Sequence, residues 1–172
     1  TANPDGYTLI SATTAASTVA VLLQKNPAFD PVNDFDYVSQ FAVTANILVV
    51  HTALPVKSVK ALIDLAKARD GKLNMASAGV GSQSHLSGAY FMSAANMVSL
   101  HVPYKGGGPS VASVIAGESQ WTLTPAPAVM TYVNSGRLRA LGHSLPGNSQ
   151  LMGAIPPIAE TIAGFDYSGW QG

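Results

Sequence analysis

Short apolar runs alternate with stretches of helical period along most of the chain. The clearest helix is predicted over 58–69. There Val59, Leu62, Ile63, Leu65 and Ala66 form one apolar stripe, Lys60, Asp64 and Lys67 face outward, and Asp70-Gly71 stops it. The same reasoning predicts helices over 13–25, 82–96, 109–116, 127–134 and 156–163, the last opening on a proline where a missing N–H costs least. Strands are predicted over 7–11, 73–77, 98–102, 120–124, 139–142 and 165–170, with 37–43 and 46–51 as two pieces of one long, bent strand. Asn26-Pro27 through Asp34 reads as a turn region with solvated acids. From 54 to 142 helix and strand alternate without a break. That order implies parallel βαβ units, hence an α/β fold: an open, mostly parallel sheet with helices on both faces. Ligands of such sheets sit beyond the carboxyl ends of the strands, at helix N-termini.

Composition narrows the functional classes. The 172 residues are 47% hydrophobic, ample for a core, and carry zero net charge. Only 10% are charged, against roughly 25% in an average globular chain. With no cluster of Lys and Arg, a nucleic-acid partner is excluded, because a phosphate backbone needs a basic stripe. The lack of cysteine removes disulfides, thiolate metal sites and cysteine nucleophiles. No apolar run reaches the roughly 18 residues of a membrane span, and no signal peptide is visible. The chain opens on Thr1 rather than Met, so a cut, processed or partial chain is expected.

The most informative stretch is Met75-Ala76-Ser77-Ala78-Gly79-Val80-Gly81-Ser82-Gln83-Ser84-His85-Leu86. A predicted strand ends at Ser77, a glycine loop follows, and a helix begins near Ser82. Glycine lets the backbone turn tightly and approach a ligand. The free N–H groups and dipole of a first helical turn favour an anion, and Ser77, Ser82 and Ser84 add neutral hydroxyls. Two readings stand side by side: a carboxylate site built from neutral dipoles, and a capped helix after a tight turn with no ligand. Pro103-Tyr104-Lys105-Gly106-Gly107-Gly108-Pro109 also joins a strand to a helix and is expected on the same rim, with Lys105 as a cation and Tyr104 as a hydroxyl or a wall. Thr124-Pro125-Ala126-Pro127 and Ser11-Ala12-Thr13-Thr14 are the other such junctions.

Competing motifs fail. Gly79-Val80-Gly81-Ser82-Gln83-Ser84 has Ser84 where a dinucleotide fingerprint needs its third glycine, and no acid follows at about 20 residues. A Walker loop is absent. Gly142-His143-Ser144-Leu145-Pro146 starts like a nucleophile elbow but has proline where the second glycine belongs. The four histidines, His51, His85, His101 and His143, show no helical metal spacing. No metal and no cofactor are expected. His85, in a first helical turn, is expected to be a neutral residue ordering the loop, and Trp121, Trp170, Phe91 and Tyr132 to be core residues.

Several segments together resemble a known family. They are Asn3-Pro4-Asp5-Gly6-Tyr7-Thr8-Leu9, Phe29-Asp30-Pro31-Val32-Asn33-Asp34-Phe35, Leu48-Val49-Val50-His51, Asn74 to Ser82, Ser84-His85-Leu86, His101-Val102-Pro103-Tyr104-Lys105-Gly106-Gly107, Gly136-Arg137-Leu138-Arg139-Ala140-Leu141 and Pro156-Pro157-Ile158-Ala159-Glu160-Thr161. In order and spacing the chain resembles the Bug-type (TctC-like) extracytoplasmic solute receptors of tripartite tricarboxylate transporters.

The resemblance implies a periplasmic, two-lobed clamshell that is not an enzyme. It would close on a small carboxylate or dicarboxylate and hand it to the membrane subunits of the transporter. Carried over residue by residue, it implies ligand contacts at Ser77, Ala78, Gly79, Gly81, Ser82 and His85 on the second lobe. On the first lobe it implies Ala12, Thr13 and Thr14, where many relatives have Gly-Ser-Asn-Gly. Crossing strands are expected near 43–47 and 164–168. Full receptors of the family are nearly twice as long, and the stretch 144–154 departs from their pattern. Residues 44–165 are therefore expected to form a complete second lobe, 1–43 part of the first lobe and 166–172 a strand returning to it. Such a half-built lobe exposes sheet edges that a second copy would cover by domain swapping. The rival readings are a small α/β serine hydrolase using Ser144 or Ser82 with a histidine, and an interaction fragment with no ligand of its own.

Overall fold

The computed structural model describes residues 5–13 and 19–172. Its elements in chain order are α1 (Ala20–Leu23), β1 (Ala42–His51), α2 (Val59–Ala68), β2 (Gly71–Ser77), α3 (Gln83–Ala94), β3 (Ser99–Pro103), α4 (Gly107–Ala116), β4 (Trp121–Pro125), α5 (Ala126–Asn134), β5 (Leu138–His143) and β6 (Ser168–Gln171). Short 3-10 turns at Gln150–Met152 and Ile158–Glu160 precede β6.

The sheet order is β3-β2-β4-β1-β5. β2 pairs parallel with β3 and β4, whereas β1 is antiparallel to both β4 and β5. Four strands therefore share one direction, with β1 inserted against them. The regular alternation from 54 to 142 implied the parallel strands. It gave no sign of β1, whose insertion is a long-range event.

β1 is one continuous strand that serves two pairings. Asn46 to His51 lie between β4 and β5, while Ala42 to Ala45 pair antiparallel with Ser168 to Gln171 of β6. Residues Ala45 to Val50 are all buried, which is why this stretch reads as an unbroken apolar run. Leu48 and Val50 face a core shared with Val59, Leu62 and Ile63 of α2 and Phe91 of α3. Ile47 and Val49 face a second core with Val111 and Val114 of α4 and Ala126 and Val129 of α5. Helices thus cover both faces, each paying its apolar stripe into one side of the sheet. α2 starts where Ser58 Oγ accepts the Ala61 N–H at 3.1 Å, a normal N-cap.

Other expectations need correction. Residues 7–11 are not a buried strand: Tyr7, Leu9 and Ile10 are exposed, because no strand among the described residues lies beside them to complete a ladder. Residues 37–41 are likewise outside β1, with Tyr37, Val38 and Phe41 exposed. Of the helix expected over 13–25, residues 14–18 lie outside the described residues; Ala20–Leu23 is helical, whereas Thr13 bridges to Gln171 and Gln24 is extended. The helix expected over 156–163 is only the 3-10 turn Ile158–Glu160. Pro157 is extended, at ψ 141°, and bridges to His143, so the backbone cannot coil before Ile158. The last strand starts at Ser168 rather than 165, because Phe165 turns into the core against Phe91 and Tyr90.

Trp121 shows how the first core is anchored. Its side chain is fully buried, edge-on to Phe91 at 5.6 Å, and its indole N–H donates to Ser99 Oγ at 3.1 Å. Trp121→Ala leaves a large cavity and an orphaned hydroxyl. It is expected to cost about 3–5 kcal/mol, read as a lower urea midpoint with unchanged slope.

Candidate functional site

β2 ends at Ser77, and the chain turns through Ala78 to Ser82 before α3 begins. Gly79 lies at φ 121° and Gly81 at φ 80°, a region closed to most L-residues. A side chain on Gly79 would also sit 3.3 Å from the Tyr104 carbonyl. That close approach fixes the neighbouring loop: the Tyr104 N–H donates to Ser77 O at 2.9 Å and the Gly106 N–H to Ala78 O at 3.1 Å. The two glycine loops therefore share one rim, as expected for loops that follow parallel strands. α3 is held to β4 behind them by Ser87 Oγ, which donates to Leu123 O at 2.7 Å.

The turn satisfies most of its own amides. The Ala78 N–H donates to Ser84 Oγ at 2.9 Å, Gly79 to Ser77 Oγ at 3.2 Å, and Gly81 to His85 Nδ1 at 3.1 Å. The Ser82 N–H closes the turn on Gly79 O at 3.2 Å. Ser82 caps α3 by accepting the His85 N–H at 3.3 Å, while its own hydroxyl donates to Gly79 O at 2.7 Å. The amides without an intramolecular acceptor among the described residues are those of Val80, Gln83 and Ser84. Two of the three lie in the first helical turn, where the dipole favours an anion.

The expected site residues sort accordingly. Ala78, Gly79, Gly81, Ser82 and His85 come together at the turn. Ser77 is fully buried, and its hydroxyl sits 2.6 Å from His101 Nε2, so it supports the turn from below. Tyr104 packs against the second core with its hydroxyl 3.4 Å from Ser119 Oγ. Lys105 is exposed on the adjoining loop. Thr13 bridges to Gln171, and Ala12 exchanges two backbone hydrogen bonds with Gly172. Thr14 lies outside the described residues. Gln83 links these regions: its side-chain amide fills the space a Cβ on Gly169 of β6 would need, two residues before Gln171.

Ser84, Gln83 and His101 are contributors that the sequence reading did not assign roles of this kind. His101 has no local signal, since the β2–β3 register brings it across from Met75. Its ring stacks on His85 with centroids 4.2 Å apart at 18°. Burial holds the His101 imidazole below its ordinary range, and the neighbouring His85 adds to the effect.

The family follows from comparison. The description "Tripartite tricarboxylate transporter family receptor" (TctC) matches residues 1–172. The chain belongs to this receptor family. It is 33% identical over 157 residues to Protein BugT of Bordetella pertussis, covering 91% of this chain and 48% of that protein. It is 30% identical over 170 residues to the UPF0065 protein in the tcbD-tcbE intergenic region of Pseudomonas sp. strain P51, covering 98% of this chain and 50% of that one. Among solved structures, Rpa4515 of R. palustris with adipate superposes at TM-score 0.90 with 30% identity, over 97% of this chain and 56% of that chain. A periplasmic transporter structure gives TM-score 0.90 at 33% identity, over 99% and 58%. BugD, at 24% identity and TM-score 0.88, shares the fold. The chain spans about half the length of the relatives it matches.

The TctC fold is thus a mixed α/β sheet sandwiched by helices, and neither Ser144 nor Ser82 is placed as the nucleophile of a hydrolase. Ser144 is fully buried and its Oγ accepts the Asn46 N–H at 2.9 Å. Ser82 is a helix cap whose hydroxyl is directed to Gly79 O, while His85 Nδ1 is occupied by Gly81. A nucleophile must be hydrogen-bonded to its base, and neither serine is.

Two imidazoles set a pH dependence. Burial pushes both His101 and His143 down from the ordinary histidine value, Glu160 opposing in part at His143. The unfolded chain takes up those protons near about pH 6.5, where the native state still refuses them. Stability is therefore fully present above that pH and is lost as pH falls below it toward the lowered native values. The urea midpoint is expected to drop between pH 7.5 and 5.5, with a shallower drop in His143→Leu.

Proposed function

We propose that this chain is one half of a periplasmic solute receptor that captures a small carboxylate or dicarboxylate and delivers it to the membrane subunits of a tripartite tricarboxylate transporter. The observation carrying the reading is the turn Gly79–Ser82, which presents the open amides of Val80, Gln83 and Ser84 at the start of α3. Family membership and the likeness to the adipate-bound Rpa4515 support the ligand class.

In this reading residues 44–165 form one lobe, 1–43 belong to the other, and 166–172 return to it. The β1–β6 ribbon is the crossing, with Thr13 and its neighbours reaching the ligand from beyond Gln171. At the turn Val80 is exposed. Two hollows elsewhere lie between Val21 and the 27–34 loop, and between the start of α2 and 156–161. An open wall is what one side of a clamshell presents before the second lobe closes on it. The exposed Tyr7, Leu9, Ile10, Val38 and Phe41 lie on the incomplete lobe, and a second copy of the chain would cover them by domain swapping. A monodisperse monomer in solution scattering contradicts that part.

Thermal-shift measurements with linear dicarboxylates, adipate included, test the ligand class. Saturation at about 100 times the Kd adds roughly 2.7 kcal/mol, so a clear rise in Tm is expected with the acids and none with the uncharged diamides. Val80→Glu places a repelling carboxylate on an exposed position of the turn. It is expected to leave Tm unchanged without ligand and to weaken binding at least 10-fold, about 1.4 kcal/mol. A panel in which acids and diamides behave alike sinks the proposal.

A further inference from the structure

Gly169 of β6 is a glycine for a steric reason. It is buried, and its φ lies outside the left-handed region that favours glycine. A side chain there would meet the carboxamide of Gln83, whose Nε2, Cδ and Oε1 all fall inside contact distance of an added Cβ. Gln83 is the first residue of α3. The two meet because α3 runs lengthwise over the segment that leads into β6. Tyr167 and Gly169 share a face by strand alternation, and Gln83 and Tyr90 share one by helix period, seven residues being about two turns. Tyr90 packs on Phe165 at 5.0 Å and on Tyr167 at 6.0 Å. One end of this helix face therefore rests on aromatic rings and the other on bare backbone.

We propose that Gln83 is the positioning residue of the glycine turn: its carboxamide, seated on Gly169, fixes the first backbone amides of α3 against the β1–β6 ribbon. Two features single it out. Its backbone N–H is one of the three open amides, so the residue that offers a donor at the turn is also the residue that touches the ribbon. Its side-chain Nε2 is buried and has no acceptor among the described residues. An unpaired buried donor lowers stability, so shape and not bonding holds the carboxamide on its seat. Breaking a local rule in this way is expected of functional positions.

The bonds made by Ser77, Ser84 and His85 tie the turn to itself. Gln83 ties it to β6. Thr44 of β1 lies directly opposite Gly169, so a displacement of the seat is a displacement of the β1–β6 pairing. The part played by an anion rests on the carboxylate reading above. An acid held by the Gln83 N–H restrains the residue whose side chain rests on the ribbon, and by linkage a ribbon held against Gln83 favours the acid.

The obstructing atoms are the end of a flexible side chain, so Gly169→Ala displaces the carboxamide and leaves β6 in place. Gly169→Ala and Gln83→Ala thus remove one contact from its two sides. NMR on the full chain reads it first without ligand. The backbone order parameter at Gln83 is expected in the rigid range, about 0.85. It is expected to fall in both variants, and no further in the double variant, while Leu123 stays rigid. Unchanged order at Gln83 in Gly169→Ala overturns the seat, as do losses that add in the double variant. Adipate titration follows. In the wild-type chain it is expected to shift the amides of Val80, Gln83 and Ser84 and, through the seat, that of Gly169. Either single variant is expected to weaken adipate by about 5-fold or more and to silence the response at position 169 while Val80 still responds. Adipate that moves the turn but not Gly169, or that binds Gly169→Ala as tightly as the wild-type chain, overturns the positioning role and leaves the carboxylate reading standing. If no turn amide responds to adipate while the order at Gln83 falls in both variants, the positioning role stands and the carboxylate reading fails.

Discussion

The structure depends on β1 being long enough to belong to two pairings at once. Its C-terminal part is the central strand against which β4 and β5 lie, and its N-terminal part leaves them to pair with β6. The change-over occurs at Asn46, which is fully buried. There Asn46 exchanges hydrogen bonds with Ser144, its N–H to Ser144 Oγ and its O to the Ser144 N–H, both at 2.9 Å, and its side-chain amide reaches Tyr167 O at 3.3 Å. The Tyr167 N–H donates back to Ser144 O at 3.0 Å. One buried polar knot therefore fixes where β1 departs, where β5 ends and where the chain approaches β6. Removing a partner from such a knot leaves buried groups unpaired, which costs more than the bonds are worth in net terms.

That constraint also positions the glycine turn. α3 starts beside β6 because Gln83 lies over Gly169, and it is tied to β4 through Ser87. The turn is not a set of idle amides waiting for an anion. Side chains from two elements already occupy most of them, Ser77 from β2 and Ser84 and His85 from α3, with His101 of β3 behind Ser77. Internal bonding of this kind preorganises a site at some expense to its free valence. Among the described residues, the amides of this turn without an acceptor are those of Val80, Gln83 and Ser84.

Much of this was legible in the sequence, and for identifiable reasons. The stripe of Val59, Leu62, Ile63 and Ala66 announced α2, and strand–glycine–helix junctions marked the rim at 77–83 and 103–107. The serine cap at Ser82 follows from residue type alone. Non-local features were not legible. Nothing near Leu48 says that β1 inserts antiparallel between β4 and β5, nothing near His101 says that it will stack on His85, and Pro156-Pro157 looks like a helix start until Pro157 is seen bridging to His143. Residues 7–11 have the alternation of a strand, but pattern specifies only half of a ladder, and the other half must be present for the strand to form. Ser77, at the end of β2, is fully buried because a strand's alternation sends it inward.

The sparse charge of the chain fits the chemistry of the turn. A receptor that must surrender its cargo gains little from a buried ion pair, since a desolvated Arg–carboxylate contact is costly to form and its rupture strands a charge. Neutral donors, here backbone amides at a helix start, stabilise an anion by less per contact and cost little when left to water. With hydroxyls and imidazoles holding those amides in place, and Lys105 exposed on the neighbouring loop rather than at the turn, affinity in the proposed carboxylate reading comes from the number and direction of dipoles. Closure of a second wall over the turn raises the strength of each dipole by excluding water, and opening lowers it again. In the receptor reading proposed above, a neutral site of this kind would tie capture and release to one lobe motion, and β1 is the strand that takes part in both pairings.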